Sequence, residues 1–152
     1  MKFLLLLALI PCALFFSCKC AQKTGPKTDT ASTNNASANS TITGTWQLTY
    51  ITGPRIAFDG LYPDKKPVLT FDATSGKVTG NSSCNSISGP VTIKEQSVSF
   101  GDFISTKMAC QGEGEQVFLQ TLKKINKFDI TDGNTLHLIM GDVAMMRFTK
   151  MP

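Results

Sequence analysis

From Thr43 onward the chain alternates apolar and polar positions. Trp46, Leu48 and Tyr50 are separated by Gln47 and Thr49, the period of two expected of a half-buried strand. The alternation recurs at Leu69 and Phe71, at Val91 and Ile93, at Val98 and Phe100, and at Phe128 and Ile130. It returns at Leu136, Leu138 and Met140, then at Ala144, Met146 and Phe148. Turn chemistry separates the runs. Residues 72–76 send the chain back into 77–80, Asp132-Gly133 is a hairpin signal, and Gly141-Asp142 turns again. The pattern predicts a mainly β domain of about eight short antiparallel strands, closed as a barrel or stacked as a sandwich.

One stretch has a different period. Over residues 113–126, Phe118, Leu122 and Ile125 fall at helical spacing, with Glu113 and Glu115 early and Lys123, Lys124 and Lys127 late. Acid first and base last suits the helix dipole. One α-helix is therefore expected, its apolar residues covering an open side of the sheet. The segment 53–67 fits neither period. It is longer than a hairpin needs, and it carries Ile56, Phe58, Leu61 and Tyr62. Two expectations follow: these side chains fold back onto the rim of the sheet, or they form an apolar patch that meets a partner or a lipid.

Upstream of the strands the texture changes twice. Residues 1–17 carry Lys2, then an apolar run from Phe3 to Ile10 extended by Ala13 to Phe16, then the small residue Ser17. This is the layout of an export signal, too short and too interrupted by Pro11 to span a bilayer readily. The stretch Leu14-Phe15-Phe16-Ser17-Cys18 resembles a bacterial lipobox, with Phe15 and Phe16 bulkier than usual. Cys18 is accordingly the expected site of lipid attachment, a diacylglycerol thioether usually joined by an N-acyl chain such as palmitate. Several acyl chains anchor far more firmly than one. The competing readings are a retained short anchor, or an ordinary thiol after an ordinary signal. Residues 19–41 hold no large apolar side chain. They cannot offset their ordering entropy by burial, and as a random coil they would span about 25 Å. The organisation expected is a signal peptide at 1–17, a lipidated N-terminus and tether at 18–42, and a folded domain at 43–152.

Charge narrows the range of partners. Of 15 Lys and Arg, Lys2, Lys19, Lys23 and Lys27 precede residue 42, which leaves eleven; of 11 Asp and Glu only Asp29 does, which leaves ten. The domain is thus nearly neutral, and no basic face of the kind nucleic acid demands is implied. The basic residues that follow Cys18, with no acidic run, favour a periplasm-facing position on the outer membrane.

Two short motifs in the domain carry a family resemblance. Residues 80–89 read Gly-Asn-Ser-Ser-Cys-Asn-Ser-Ile-Ser-Gly, and Thr106, Met108, Ala109 and Cys110 form a Thr-x-Met-Ala-Cys element followed by Glu115, Phe118 and Leu122. With the opening Gly44-Thr45-Trp46, these elements resemble the META domain family, including its heat-inducible envelope lipoproteins. The matching positions are Gly80, Cys84, Asn85, Gly89, Thr106, Met108, Ala109 and Cys110. Ser83 departs from the pattern, since many members carry Gly there. The resemblance implies a small antiparallel β-barrel-like fold with one helix. It implies no enzyme, the family having no accepted catalytic residues.

The residues that could do chemistry are few. Cys84 and Cys110 are expected to pair in an oxidising compartment; buried free thiols and a redox-active dithiol are the alternatives. Asn85 and Thr106 are expected to shape turns by bonding nearby backbone. No metal site or cofactor is expected, because His137 is the only histidine and the cysteines are far apart in sequence. His137, between Leu136 and Leu138, should face solvent. No nucleophile elbow or phosphate-cradling loop is present. The function expected is that of a membrane-anchored, monomeric envelope lipoprotein whose domain is a non-catalytic binding or stress-related module for an envelope protein. The alternative is a carrier of an apolar ligand or lipid, in a cavity between helix and sheet lined by Met108, Phe118, Met140 and Met146.

Overall fold

The computed structural model describes residues 41–152. The expected signal at 1–17, the expected lipid-attachment site Cys18 and the polar stretch 19–40 lie outside the described residues. Nine strands follow one another: β1 (Gly44–Ile51), β2 (Val68–Asp72), β3 (Lys77–Asn81), β4 (Ser86–Lys94), β5 (Ser97–Phe100), β6 (Ile104–Ser105), β7 (Lys127–Thr131), β8 (Thr135–Met140) and β9 (Val143–Lys150). Two helices interrupt them, α1 (Phe58–Leu61) and α2 (Gly114–Leu122). The expected mainly β, barrel-like antiparallel domain is therefore present, with one more strand and one more helix than the pattern predicts. The additions are the two-residue β6 and the single turn α1, both too short to leave a periodic signal.

The strands form one antiparallel sheet in the order β3-β2-β1-β9-β8-β7-β5-β4-β6. An additional pairing of β3 with β4 closes it into a ring. β4 makes this possible by its length. Its first half pairs with β3 from Asn81↔Ser86 to Lys77↔Pro90, and its second half pairs with β5 from Val91↔Phe100 to Lys94↔Ser97. β6 then lies along β4 at Ile87 and Ser88. The β5–β7 junction has a single registered pair, Ser97↔Lys127, flanked by Phe128 N–H to Gln96 at 2.9 Å and Val98 N–H to Asn126 at 3.2 Å.

The inward faces supply a continuous core that includes Trp46, Leu48, Leu69, Phe71, Val78, Leu136, Leu138, Met146 and Phe148. Three positions read as inward by alternation are not. Tyr50 is 44 % exposed because a bulge shifts the β1–β9 register between Leu48 and Tyr50, and Ile51 takes the inward place. A second shift passes over Met145 of β9, between the pairs Leu138↔Met146 and Ile139↔Ala144, and leaves Ala144 exposed; Met140 is 37 % exposed because β8 ends there, paired with the exposed Val143. One unpaired residue reverses the side-chain period for the rest of a strand. The core also begins one residue earlier than the expected boundary at 43. Ile42 is buried, and its carbonyl accepts the Trp46 indole N–H at 2.8 Å.

α2 is shorter than the predicted 113–126. It buries Phe118 and Leu122, with the Phe118 ring 6.4 Å from that of Phe148. Lys123 is its C-cap, and Lys127 belongs to β7, so no basic side chain lies in its last turn. Ile125 is buried as predicted, but beyond the helix end, where its N–H bonds the Leu122 carbonyl at 3.2 Å. The predicted turns are present. Asp132 and Gly133 have φ of 55° and 65°, the left-handed pair that a two-residue hairpin requires. Asp72 accepts Thr74 N–H at 3.0 Å and the Ser75 hydroxyl at 2.6 Å. The Ser75 bonds hold its carboxyl below the usual range.

Candidate functional site

The two motifs, remote in sequence, meet at one place on the ring. The turn between β3 and β4 (residues 82–85), the strand β6 with the loop after it, and the first turn of α2 converge there. Cys84 and Cys110 are joined as a disulfide with Cα atoms 5.9 Å apart, so the free-thiol alternatives do not describe this structure.

Asn85 is the centre of the site. It is 4 % exposed, and its side chain does not bond its own turn, as expected of it, but reaches across. Its carbonyl oxygen accepts the Thr106 hydroxyl and the Met108 N–H, each at 2.8 Å. Its amide nitrogen donates to Glu115 Oε2 at 2.8 Å and lies 3.1 Å from Cys110 Sγ. Thr106 continues the link by accepting the Ser86 N–H at 3.1 Å. Thus Thr106 and Met108 are held by Asn85, and the turn chemistry expected of Asn85 and Thr106 is replaced by a long-range clamp. A buried amide with every atom bonded fixes one arrangement of the segments around it.

Glu115, placed by the sequence at the start of the helix after the second motif but given no role at a site, is part of this cluster. Besides Asn85, its carboxylate accepts the hydroxyl of the fully buried Ser82 at 2.8 Å. The hydroxyl also lies 3.1 Å from the main-chain carbonyl of Asn85, but it has one proton, and the shorter contact to a charged acceptor takes it. Glu115 Oε2 is 3.2 Å from Cys110 Sγ. An oxidised sulfur has no proton, so this is a contact and not a hydrogen bond. The signal for Glu115 was its place in the first turn of a predicted helix, five residues after Cys110, which reads equally well as dipole complementarity.

The motif glycines serve close approach rather than turns. Gly80 lies inside β3, where a Cβ would run into the Val68 carbonyl of β2. Gly89 lies inside β4, where a Cβ would stand 3.0 Å from the Phe103 ring and 3.1 Å from the Asp102 carbonyl. Gly89 thereby lets the 101–105 segment cross. Ser83 occupies a left-handed conformation, φ 90°, with its N–H bonded to Asn81 Oδ1 at 3.1 Å. That backbone suits the glycine expected at this position.

Beside this cluster a groove of about 600 Å³ opens between α2 and the 102–112 segment. Phe103, Met108 and Leu119 form its apolar wall, Cys110 and Glu115 lie in it, and Lys123 is on its border. Met108 is 58 % exposed, and Ile104 on β6 is 80 % exposed. Of the four residues expected to line a helix–sheet cavity, only Met108 borders this groove. Phe118 and Met146 are fully buried core, and Met140 sits at the β8–β9 turn.

The expected patch at 56–62 divides. Leu61 and Tyr62 are buried, and Phe58 packs against the core, its ring 5.2 Å from that of Tyr62. Only Ile56 is substantially exposed, at 48 %. The segment is apolar because it docks on α2. Gly114 has no room for a Cβ against Tyr62, and the Tyr62 hydroxyl donates to the Gly114 carbonyl at 3.0 Å. Burial pushes the Tyr62 phenol up to about 12. His137 is on the outward register of β8, half-buried, with Nε2 2.9 Å from the Thr131 hydroxyl.

The META domain model matches residues 39–152 of the chain. No curated protein matches it. Among solved structures, an NMR structure of a protein from Burkholderia xenovorans is similar at 23 % identity and a TM-score of 0.57, over 71 % of this chain and 81 % of that one. A DUF4847 family protein from Bacteroides vulgatus is similar at 16 % identity and a TM-score of 0.50, over 72 % and 95 %. At such identities the likeness is one of fold.

Proposed function

The chain belongs to the META domain family, and from that premise we propose that it is an exported envelope lipoprotein, anchored through Cys18, whose domain is a non-catalytic, stress-related binding module. Its groove would take an apolar segment of another envelope protein. The observation that carries this reading is the groove between α2 and the 102–112 segment, with Phe103, Met108 and Leu119 along it. An exposed apolar lining at a fixed place is what recognition uses. The Met108–Cys110 edge of the wall is tied down by the Asn85 bond to Met108 and by the disulfide, which reduces the ordering that opposes binding. Glu115, the carboxylate beside the disulfide in the groove, is already bonded to Ser82 and Asn85, which favours a binding role over a catalytic one.

The periplasmic face of the outer membrane is the proposed location, on the strength of the signal, the lipobox and the basic residues after Cys18. Palmitate labelling of the full chain, lost in Cys18→Ser, tests the anchor. A photo-crosslinking side chain at Met108 tests the binding reading in living cells. A discrete cross-linked protein, absent when the probe is at Lys94 and lost with Leu119→Asp, is the expected result; the same products from both positions would overturn it.

A second reading rests on the size of the groove, which falls in the range of about 300–1,000 Å³ typical of small-molecule sites. An apolar ligand would co-purify with the protein, be released on denaturation in native mass spectrometry, and be lost with Leu119→Asp.

A further inference from the structure

We propose that Cys84, Cys110 and Glu115 form a divalent metal site, of the kind zinc occupies, whenever the two cysteines are reduced. The ligand atoms of the three residues lie within 4.8 Å of one another, a proximity that the sequence separation of 26 between the cysteines conceals. The inference does not depend on what the groove binds.

The geometry needs little adjustment. On a tetrahedral zinc with Zn–S of about 2.3 Å and Zn–O of about 2.0 Å, two sulfurs stand about 3.8 Å apart and a sulfur and an oxygen about 3.5 Å apart. Glu115 Oε2 is already 3.2 Å from Cys110 Sγ. The Cα separation of 5.9 Å allows the sulfurs to part by rotation about their side-chain bonds. The carboxylate is oriented by Ser82 and Asn85, which bond it at 2.8 Å each, and outer hydrogen bonds of this kind set the direction of a metal ligand. Cys110 and Glu115 border the groove, so the fourth position opens to water.

Charge makes the cation the natural partner. A carboxylate in contact with a sulfur opposes two bare thiolates beside it, and a divalent ion removes that opposition. The oxidation states balance simply. A newly made chain carries Cys84 and Cys110 as two thiols. Binding releases two protons and forms two metal–sulfur bonds. Oxidation by a disulfide-bearing oxidant removes two electrons, forms the Cys84–Cys110 bond, expels the ion and reduces the oxidant to a dithiol, which takes its two protons from solvent. The metal and the disulfide are thus alternative clasps for the same two segments.

The test is a cobalt titration of the full chain with Cys12, Cys18 and Cys20 replaced by serine, in detergent, reduced with a phosphine under nitrogen. The expected result is one equivalent bound, with thiolate-to-cobalt charge transfer in the near ultraviolet and the visible bands of a tetrahedral ion, displaced by zinc. Glu115→Gln should weaken binding at least about tenfold, Cys84→Ser should abolish the site, and the exposed Glu113→Gln should change nothing. The oxidised chain should bind none. Far-ultraviolet circular dichroism in parallel reports whether the reduced chain needs the ion to fold, as small metal-clasped domains do. Absence of the bands, or equal affinity in Glu115→Gln and Glu113→Gln, would overturn the proposal.

Discussion

The Asn85 amide nitrogen donates to the Glu115 carboxylate at 2.8 Å across thirty positions of sequence, and so fastens the turn after β3 to the start of α2. The remainder of the Asn85 side chain is committed to Thr106 and Met108. Asn85→Ala would leave the Met108 N–H and part of a charged carboxylate without partners. The expected loss is about 2–4 kcal/mol, since each stranded buried group costs about 1–3 kcal/mol and a charged one more. Asn85→Asp should be at least as damaging, because it sets a second carboxylate against Glu115. Urea unfolding of the two variants, with the slope compared as well as the midpoint, measures both.

Ser83 lies at φ 90°, a conformation that costs a residue with a Cβ about 1–3 kcal/mol and glycine little. Ser83→Gly should therefore stabilise the domain, by about 1 kcal/mol after the added freedom of the unfolded chain is counted. A higher thermal midpoint with the disulfide intact is the expected observation; an unchanged or lower midpoint would mean that the turn is not strained.

Alkaline pH should loosen α1 from α2. The Tyr62 phenol is raised from 10 to about 12 by burial. Its folded form therefore holds the proton more tightly than the unfolded form, and this contribution is complete below pH 10 and lost as the pH climbs through 12. The ionised oxygen can no longer donate to the Gly114 carbonyl. Tyr62→Phe should lower stability at pH 8 by about 1–3 kcal/mol, for the stranded carbonyl, and should flatten the decline above pH 10. Denaturant midpoints between pH 8 and pH 11 distinguish the two chains.

The disulfide should be both stabilising and slow to reduce. Closing a loop of this length stabilises by about 3–4 kcal/mol in the chain-entropy model, which is the loss expected for the Cys84→Ala, Cys110→Ala double variant. Glu115 stands 3.2 Å from the groove-facing sulfur and repels an incoming thiolate. Glu115→Gln should speed reduction by glutathione several-fold in native buffer, read by mass after alkylation. Acceleration of the same size in Glu113→Gln would assign the effect to global opening.

Truncating Leu122, fully buried on α2, to alanine should cost about 2–5 kcal/mol. A loss under about 1 kcal/mol would show that α2 covers the ring without contributing to its core.

Local physics is legible in the sequence by itself. The alternation at 46–48, 69–71, 136–138 and 146–148 identifies the inward faces, because a strand buried on one side repeats every two residues. The left-handed turn at Asp132-Gly133 announces itself through residue types that tolerate positive φ. Phe118 and Leu122 mark the covering helix. Tertiary structure alone decided the rest. Bulges turned Tyr50 and Ala144 outward, and a one-residue register shift leaves no trace in a period-two pattern. The apolar side chains of 56–62 proved to be mostly core because Gly114 offers Tyr62 a place to dock. The cluster at Asn85 and Glu115 was out of reach for the same reason. Its members lie on a turn, a loop and a helix, and only closure of the ring brings a carboxylate from one to an amide on another. A sequence displays the preferences of each residue for its neighbours along the chain; which distant groups share a hydrogen bond is set by packing.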